Sequence, residues 1–222
     1  MIHLVRPSLI AVVVGVAFLP FAPARADIVG TVWENAGDPE DATDFAGNTT
    51  GPSANFLSPA INYCSDPAVQ LMCSPTSAYN VSGFLNFPAF TNPTPGFDPN
   101  ANLDNTFIQL QGNLYLNAGD NNFLVLHDDG VSLTFNGGAS GFSEPDPTSA
   151  TYTPFTITAP AAGTYQFTLN YTECCSAPAV FQWTYPDGVP IGSVPEPGYV
   201  ALIGAGLPAL LFYHRRRQKR NA

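Results

Sequence analysis

Asn122-Phe123-Leu124-Val125-Leu126-His127-Asp128-Asp129-Gly130-Val131-Ser132-Leu133-Thr134-Phe135-Asn136-Gly137 is the stretch on which the fold turns. Residues 122–127 and 131–136 have the apolar and β-branched make-up of short strands, and an Asp-Gly turn signal separates them. The same pattern continues outward on both sides. Residues 107–111, 114–117, 152–158, 163–171 and 179–185 read as further strands, with Asn117-Ala118-Gly119-Asp120, Asp129-Gly130 and Asn136-Gly137-Gly138 as the turns between segments. Residues 137–149 read as a loop. No amphipathic helix pattern competes. Thr-, Phe- and Tyr-rich strands at this spacing predict an all-β fold, an antiparallel, jelly-roll-like β-sandwich. Upstream, residues 27–105 are rich in Pro, Gly, Asn and Asp and read as long loops around a few strands, with apolar runs at 28–33 and 81–87.

Both ends of the chain read as addresses. Arg6 precedes an apolar stretch at 9–21, and Ala24-Arg25-Ala26 gives the small-x-small pattern of a signal-peptidase site, so residues 1–26 are expected to be a signal peptide. At the other end Val194, Pro195, Glu196 and Pro197 precede an apolar run at 198–213 and the basic cluster His214-Arg215-Arg216-Arg217-Gln218-Lys219-Arg220. That run, interrupted by Pro208, is shorter than the roughly 20 residues that span a bilayer comfortably. It reads as a short, transient C-terminal membrane helix. The three-part tail resembles the PEP-CTERM sorting signal of exopolysaccharide-producing Gram-negative bacteria. The resemblance implies transient inner-membrane insertion, cleavage near Pro195-Glu196-Pro197 by an exosortase-type enzyme, and delivery to the cell surface or the extracellular (biofilm) matrix. The expected organisation is a signal peptide at 1–26, a sandwich domain at 27–188 (clearest over 107–188), a linker at 189–193 and a sorting segment at 194–222.

Charge is distributed unevenly between these parts. All 7 basic residues lie in the two terminal segments, whereas 16 of the 17 acids lie within 27–193. An exported domain without Lys or Arg lacks the groups that neutralise phosphate or sulfate, which argues against nucleic-acid, anionic-lipid and sulfated-glycan binding. Divalent cations are its natural counter-charge. Catalytic options are few as well, because His127 is its only histidine and no nucleophile elbow, zinc-helix motif or Cys-x-x-Cys pair occurs. His127 reads as a structural imidazole, and the protein is expected not to be an enzyme. A two-carboxylate glycosidase leaves no local sequence mark and stays as a third alternative.

Cys64, Cys73, Cys174 and Cys175 are an even set in an exported domain, which points to disulfides. Three connectivities exist. A ring between adjacent cysteines falls below the usual Cα separation, so the expected arrangement ties the Cys64–Cys73 loop to the Cys174-Cys175 turn. Zinc ligation fits the spacing poorly.

Taken together, residues 107–116, the Asp128-Asp129-Gly130 stretch, Gly163-Thr164-Tyr165 opening a late strand, and a last strand around Trp183 resemble the protective-antigen-fourteen (PA14) type of β-sandwich found in a bacterial toxin component, yeast flocculins and adhesins. In its lectin-like members the matching Asp pair, joined by a cis peptide, holds a calcium ion that binds vicinal sugar hydroxyls. The resemblance therefore implies that Asp128 and Asp129 bind metal and ligand, with calcium as cofactor. Adjacent carboxylates suit that hard, oxygen-seeking ion. The same residues could instead form a plain hairpin turn, one carboxylate bonding backbone amides and Gly130 at positive φ. Asn136, Glu173 and Asp187 are candidate helpers that also read as solvated turn residues, and Tyr171, Trp183 and Tyr185 are candidate sugar-stacking aromatics, although alternating aromatics in a strand more often belong to the core. The expected function is a carbohydrate-binding or adhesion module of the exopolysaccharide matrix or another cell-surface glycan. The alternative is a passive structural surface protein without ligand binding. Removing residues 194–222 is expected to leave a folded domain released from the envelope. Loss of the β-sheet circular-dichroism signature on truncation would show that the tail belongs to the fold.

Overall fold

The computed structural model describes residues 28–65, 78–86 and 88–192. The signal peptide, Cys73 and the whole sorting segment with its apolar run lie outside the described residues. Among the described residues no helix is long and apolar enough to cross a membrane. Among the described residues, ten strands form two antiparallel sheets. They are β1 (Ile28–Trp33), β2 (Ser53–Ser58), β3 (Asn62–Ser65), β4 (Thr106–Leu116), β5 (Gly119–Asp128), β6 (Val131–Phe135), β7 (Phe142–Glu144), β8 (Thr151–Ala159), β9 (Gly163–Glu173) and β10 (Ala179–Thr184). One sheet has the order β2-β1-β4-β9-β6-β7 and the other β3-β10-β5-β8. From β4 onward the chain passes repeatedly from one sheet to the other, which makes a sandwich rather than a row of hairpins.

Several strands are longer than their sequence signals. The segments expected at 107–111 and 114–117 are one strand, β4, which pairs with β9 along its whole length from Thr106↔Glu173 to Leu116↔Gly163. Gly112 joins the two segments because a side chain there would collide with the Phe167 ring, which fills that position from the opposite strand. Residues 81–86 do not add a strand. After a first short helical turn, α1 (Phe45–Asn48), Val81–Phe84 form a second, α2, capped by the Asn80 side chain accepting from the Gly83 amide. Within the expected loop at 137–149, β7 forms and pairs with β6. The expected linker at 189–193 is packed at least as far as Ile191, whose side chain is buried and whose amide donates to the Trp183 carbonyl at 2.8 Å.

Period-2 alternation on β4, β9, β5 and β10 fills the space between the sheets. Trp183 is wholly buried, with Phe123 and Phe167 edge-on to it at 5.6 and 5.2 Å. Tyr171 is stacked between Phe84 of α2 at 5.5 Å and Phe181 of β10 at 4.9 Å. Of the three candidate stacking aromatics, Tyr171 and Trp183 take the core role that alternating strand aromatics commonly have, and only Tyr185 is exposed. Trp183 Nε1 has no hydrogen-bond partner among the described residues. Trp183→Ala is therefore expected to cost about 3–5 kcal/mol by denaturant unfolding. Trp183→Phe should cost much less, since it keeps most of the ring and removes the unpaired donor.

Candidate functional site

Asp128 is the last residue of β5 and Val131 the first of β6, yet these strands lie in different sheets. Asp128-Asp129-Gly130 is thus a crossover between sheets, and the hairpin reading does not hold. Gly130 is not at positive φ. It is required because a Cβ would overlap the Pro145 carbonyl oxygen and Thr172 Oγ1. Two further crossovers reach the same end of the sandwich, residues 145–150 between β7 and β8 and residues 174–178 between β9 and β10. Register brings them together, with Asp128 opposite Val180 and Val131 opposite Tyr171.

The three crossovers enclose an open pocket of about 350 Å³ lined by Asp128, Asp129, residues 147–149 and residues 175–178. The Asp128-Asp129 peptide is cis, as the family resemblance implied. Asp129 is fixed by backbone amides on both flanking crossovers, Thr148 N donating to Oδ1 at 3.2 Å and Cys174 N to Oδ2 at 2.9 Å. Asp128 and Asp129 are buried but for a few per cent of their surface, and Glu173 is wholly buried. Each of the three has a carboxylate oxygen within 4.8 Å of the others'.

No Lys or Arg exists in this part of the chain to offset the three carboxyl groups. Burial, reinforced by the neighbouring Asp129 charge and opposed by the Ala150 amide, pushes Asp128 up to about 7. Burial, reinforced by the two aspartates, pushes Glu173 up to about 9, against hydrogen bonds from Tyr171 and Tyr79. Proton counting agrees. The Tyr171 hydroxyl faces both the Asp128 carbonyl oxygen and Glu173 Oε2, and the Tyr79 hydroxyl faces both Asp104 Oδ1 and Glu173 Oε1. The two hydroxyls have two protons for four contacts, and a proton on Glu173 supplies a third. The donor set suits a hard divalent cation. Asp128 and Asp129 would hold it from the pocket side, with Glu173 adding charge from behind.

Of the other candidate helpers, Asn136 donates across the sheet to Gln166 of β9 at 2.9 Å, and Asp187 accepts from the Val189 amide within its own turn at 3.2 Å. The cysteine arrangement is corrected: Cys174 and Cys175 are bonded to each other. Cys64 is in a separate disulfide whose partner lies outside the described residues, and none of the described cysteines is free. The adjacent pair occupies the crossover itself, where Cys175 lines the pocket and the Cys174 amide grips Asp129. Sequence reading missed Tyr79, Asp104 and Glu144, which are brought near the site from three separate segments.

No protein-family model matches the chain, and no curated protein matches it significantly. Among solved structures, the PA14 domain of the MpAFP antifreeze protein superposes with a TM-score of 0.51 and 25% identity, over 71% of this chain and 79% of that one. A PA14 sugar-binding domain from an RTX adhesin (TM-score 0.45, 20% identity, 75% and 94% covered) and an anti-sigma factor domain-containing protein (0.46, 16%, 77% and 47%) are more distant. The fold is a PA14-type β-sandwich.

The raised carboxyls set the pH response. Unfolded, Asp128 and Glu173 lose their protons near pH 4, whereas folded they keep them to about 7 and about 9. Across that window the folded state binds more protons, so stability falls as pH rises. In chelator, Tm is expected to drop steadily from pH 5 to pH 9. Glu173→Gln should flatten the upper part of the curve, and a profile unchanged by that substitution would contradict the assignment.

Proposed function

We propose that this protein is an exported, non-enzymatic carbohydrate-binding or adhesion module whose Asp128–Asp129 pair holds calcium and, through it, a glycan. One observation carries the reading: two buried carboxylates, without a basic side chain to offset them, open onto a pocket large enough for a sugar ring. Calcium bound there would offer free coordination positions to vicinal hydroxyls. The protein's own contribution is placement. Thr148 N and Cys174 N fix the Asp129 carboxylate, Ala150 N bonds Asp128, and residues 175–178 wall the pocket opposite 147–149. The lectin-like members of the family resembled use the matching pair in this way. The terminal segments support a place in the exopolysaccharide matrix, reached through a signal peptide, transient insertion in the inner membrane and exosortase-type processing.

Calcium titration by calorimetry tests the reading. Extracellular calcium modules commonly bind with dissociation constants of about 10⁻⁴–10⁻³ M. Tenfold excess over such a constant stabilises by about 1.4 kcal/mol through linkage and should raise Tm. Replacing both Asp128 and Asp129 with Asn should abolish calcium uptake and chelator-sensitive retention on mannan, galactan or alginate resin, with the β-sheet signature intact. No uptake at millimolar calcium together with no retention would favour the passive structural protein, and retention that survives both chelator and substitution would overturn the calcium-dependent reading.

A further inference from the structure

We infer that His127 is a positioning residue for the cation site, acting through the main chain of Asp129 and itself oriented by Glu144. The inference rests on the proposed calcium-binding function.

His127 lies on the same face of β5 as Phe123 and Val125, pointing between the sheets, and is wholly buried. Its Nδ1 is 2.5 Å from the Asp129 carbonyl oxygen. A carbonyl only accepts, so Nδ1 carries the proton and donates it. On the other side of the ring, Nε2 lies 2.9 Å from Glu144 Oε2, which also accepts from Thr153 Oγ1 at 3.1 Å. Glu144 stands on β7 in the six-stranded sheet, whereas His127 and Thr153 stand on β5 and β8 in the four-stranded one. The chain Thr153–Glu144–His127–Asp129 therefore ties the two sheets together at the end where the crossovers gather.

This arrangement holds Asp129 at three points. The flanking amides take its two carboxylate oxygens and His127 takes its carbonyl, so neither the side chain nor the peptide can rotate freely. His127 does not line the acidic pocket. It borders an adjoining cavity with residues 143–148, which shares Pro147 and Thr148 with the pocket, and its direct link to the cation site is the hydrogen bond to Asp129. A hydrogen bond to the group that aims a metal ligand is worth roughly 10–100-fold in metal affinity where it has been removed. Any buried imidazole needs partners for its ring nitrogens, and here one of those partners is the main chain of the residue whose carboxylate faces the pocket.

The two ring nitrogens can be separated by substitution. In His127→Asn the side-chain amide nitrogen takes the place of Nδ1 and can still donate to the Asp129 carbonyl, but it does not reach Glu144. In His127→Gln the amide falls near Nε2, reaching Glu144 and leaving the carbonyl unbonded. Calcium chloride is titrated into the full chain and each variant by calorimetry, with Tm in chelator as the measure of fold. The dissociation constant is expected to rise at least tenfold for His127→Gln and to stay within about threefold for His127→Asn. A role in packing alone would move both constants in step with the chelator Tm. Equal weakening by the two variants, or unchanged affinity in His127→Gln, overturns the inference and leaves calcium binding standing. No calcium uptake by the unsubstituted chain overturns both. His127→Leu, which lacks both contacts, should match or exceed the loss in His127→Gln. Normal calcium affinity in His127→Leu would likewise overturn the inference.

Discussion

Tyr171 joins the core to the acidic site, and much of the structure is arranged around it. Its ring is stacked between Phe84 and Phe181 in the interior, while its hydroxyl reaches the Asp128 carbonyl oxygen and Glu173 Oε2. An aromatic held on both faces has little rotational freedom, so the hydroxyl is placed by packing rather than by the polar groups it serves. The crossover at Asp128 therefore inherits the rigidity of the hydrophobic core. Three carboxyl groups can be buried together only because protons are shared among them and their neighbours, or because a cation replaces those protons.

The same end of the sandwich collects every feature that does not serve packing. Three crossovers meet there, the adjacent disulfide shapes one of them, and buried polar residues reach in from distant parts of the chain. Tyr79 and Asp104, from the Pro- and Asn-rich first half, brace Glu173 and the 174–178 crossover, Asp104 also accepting from the Ser176 amide at 3.0 Å. That half is therefore part of the site's support. The arrangement suits a binding module, with a rigid scaffold presenting a small polar site on its connecting loops.

Strand character and the all-β class were legible in the sequence, because alternation and turn chemistry are local properties, whereas Asp128 and Asp129 were singled out by the family resemblance. The place of Glu173 was not legible. Two residues after a core tyrosine and just before the Cys-Cys pair, it looks like a solvated turn residue until β9 is seen to run to its end inside the sandwich. For a related reason the sequence leaves Tyr171 and Trp183 open between core and sugar-stacking roles. Alternation tells which strand positions share a face, but both faces of a segment look alike until the sheets are assembled.

What the sequence by itself determined is therefore chemical and local: strands and turns, the absence of Lys and Arg between the two terminal segments, and an acidic pair beside a histidine. What only the tertiary structure decided is which segments cross between sheets and which pair within one. Asp-Asp-Gly reads equally well as a hairpin or a crossover, since a few residues carry the same turn chemistry either way, and the choice depends on where β6 finds its partners. The cysteine pairing was decided in the same manner. Adjacent thiols look unfavourable on spacing alone, but the crossover that carries them is held by Asp129 and Asp104 from other parts of the chain, contacts that exist only once the sandwich has formed.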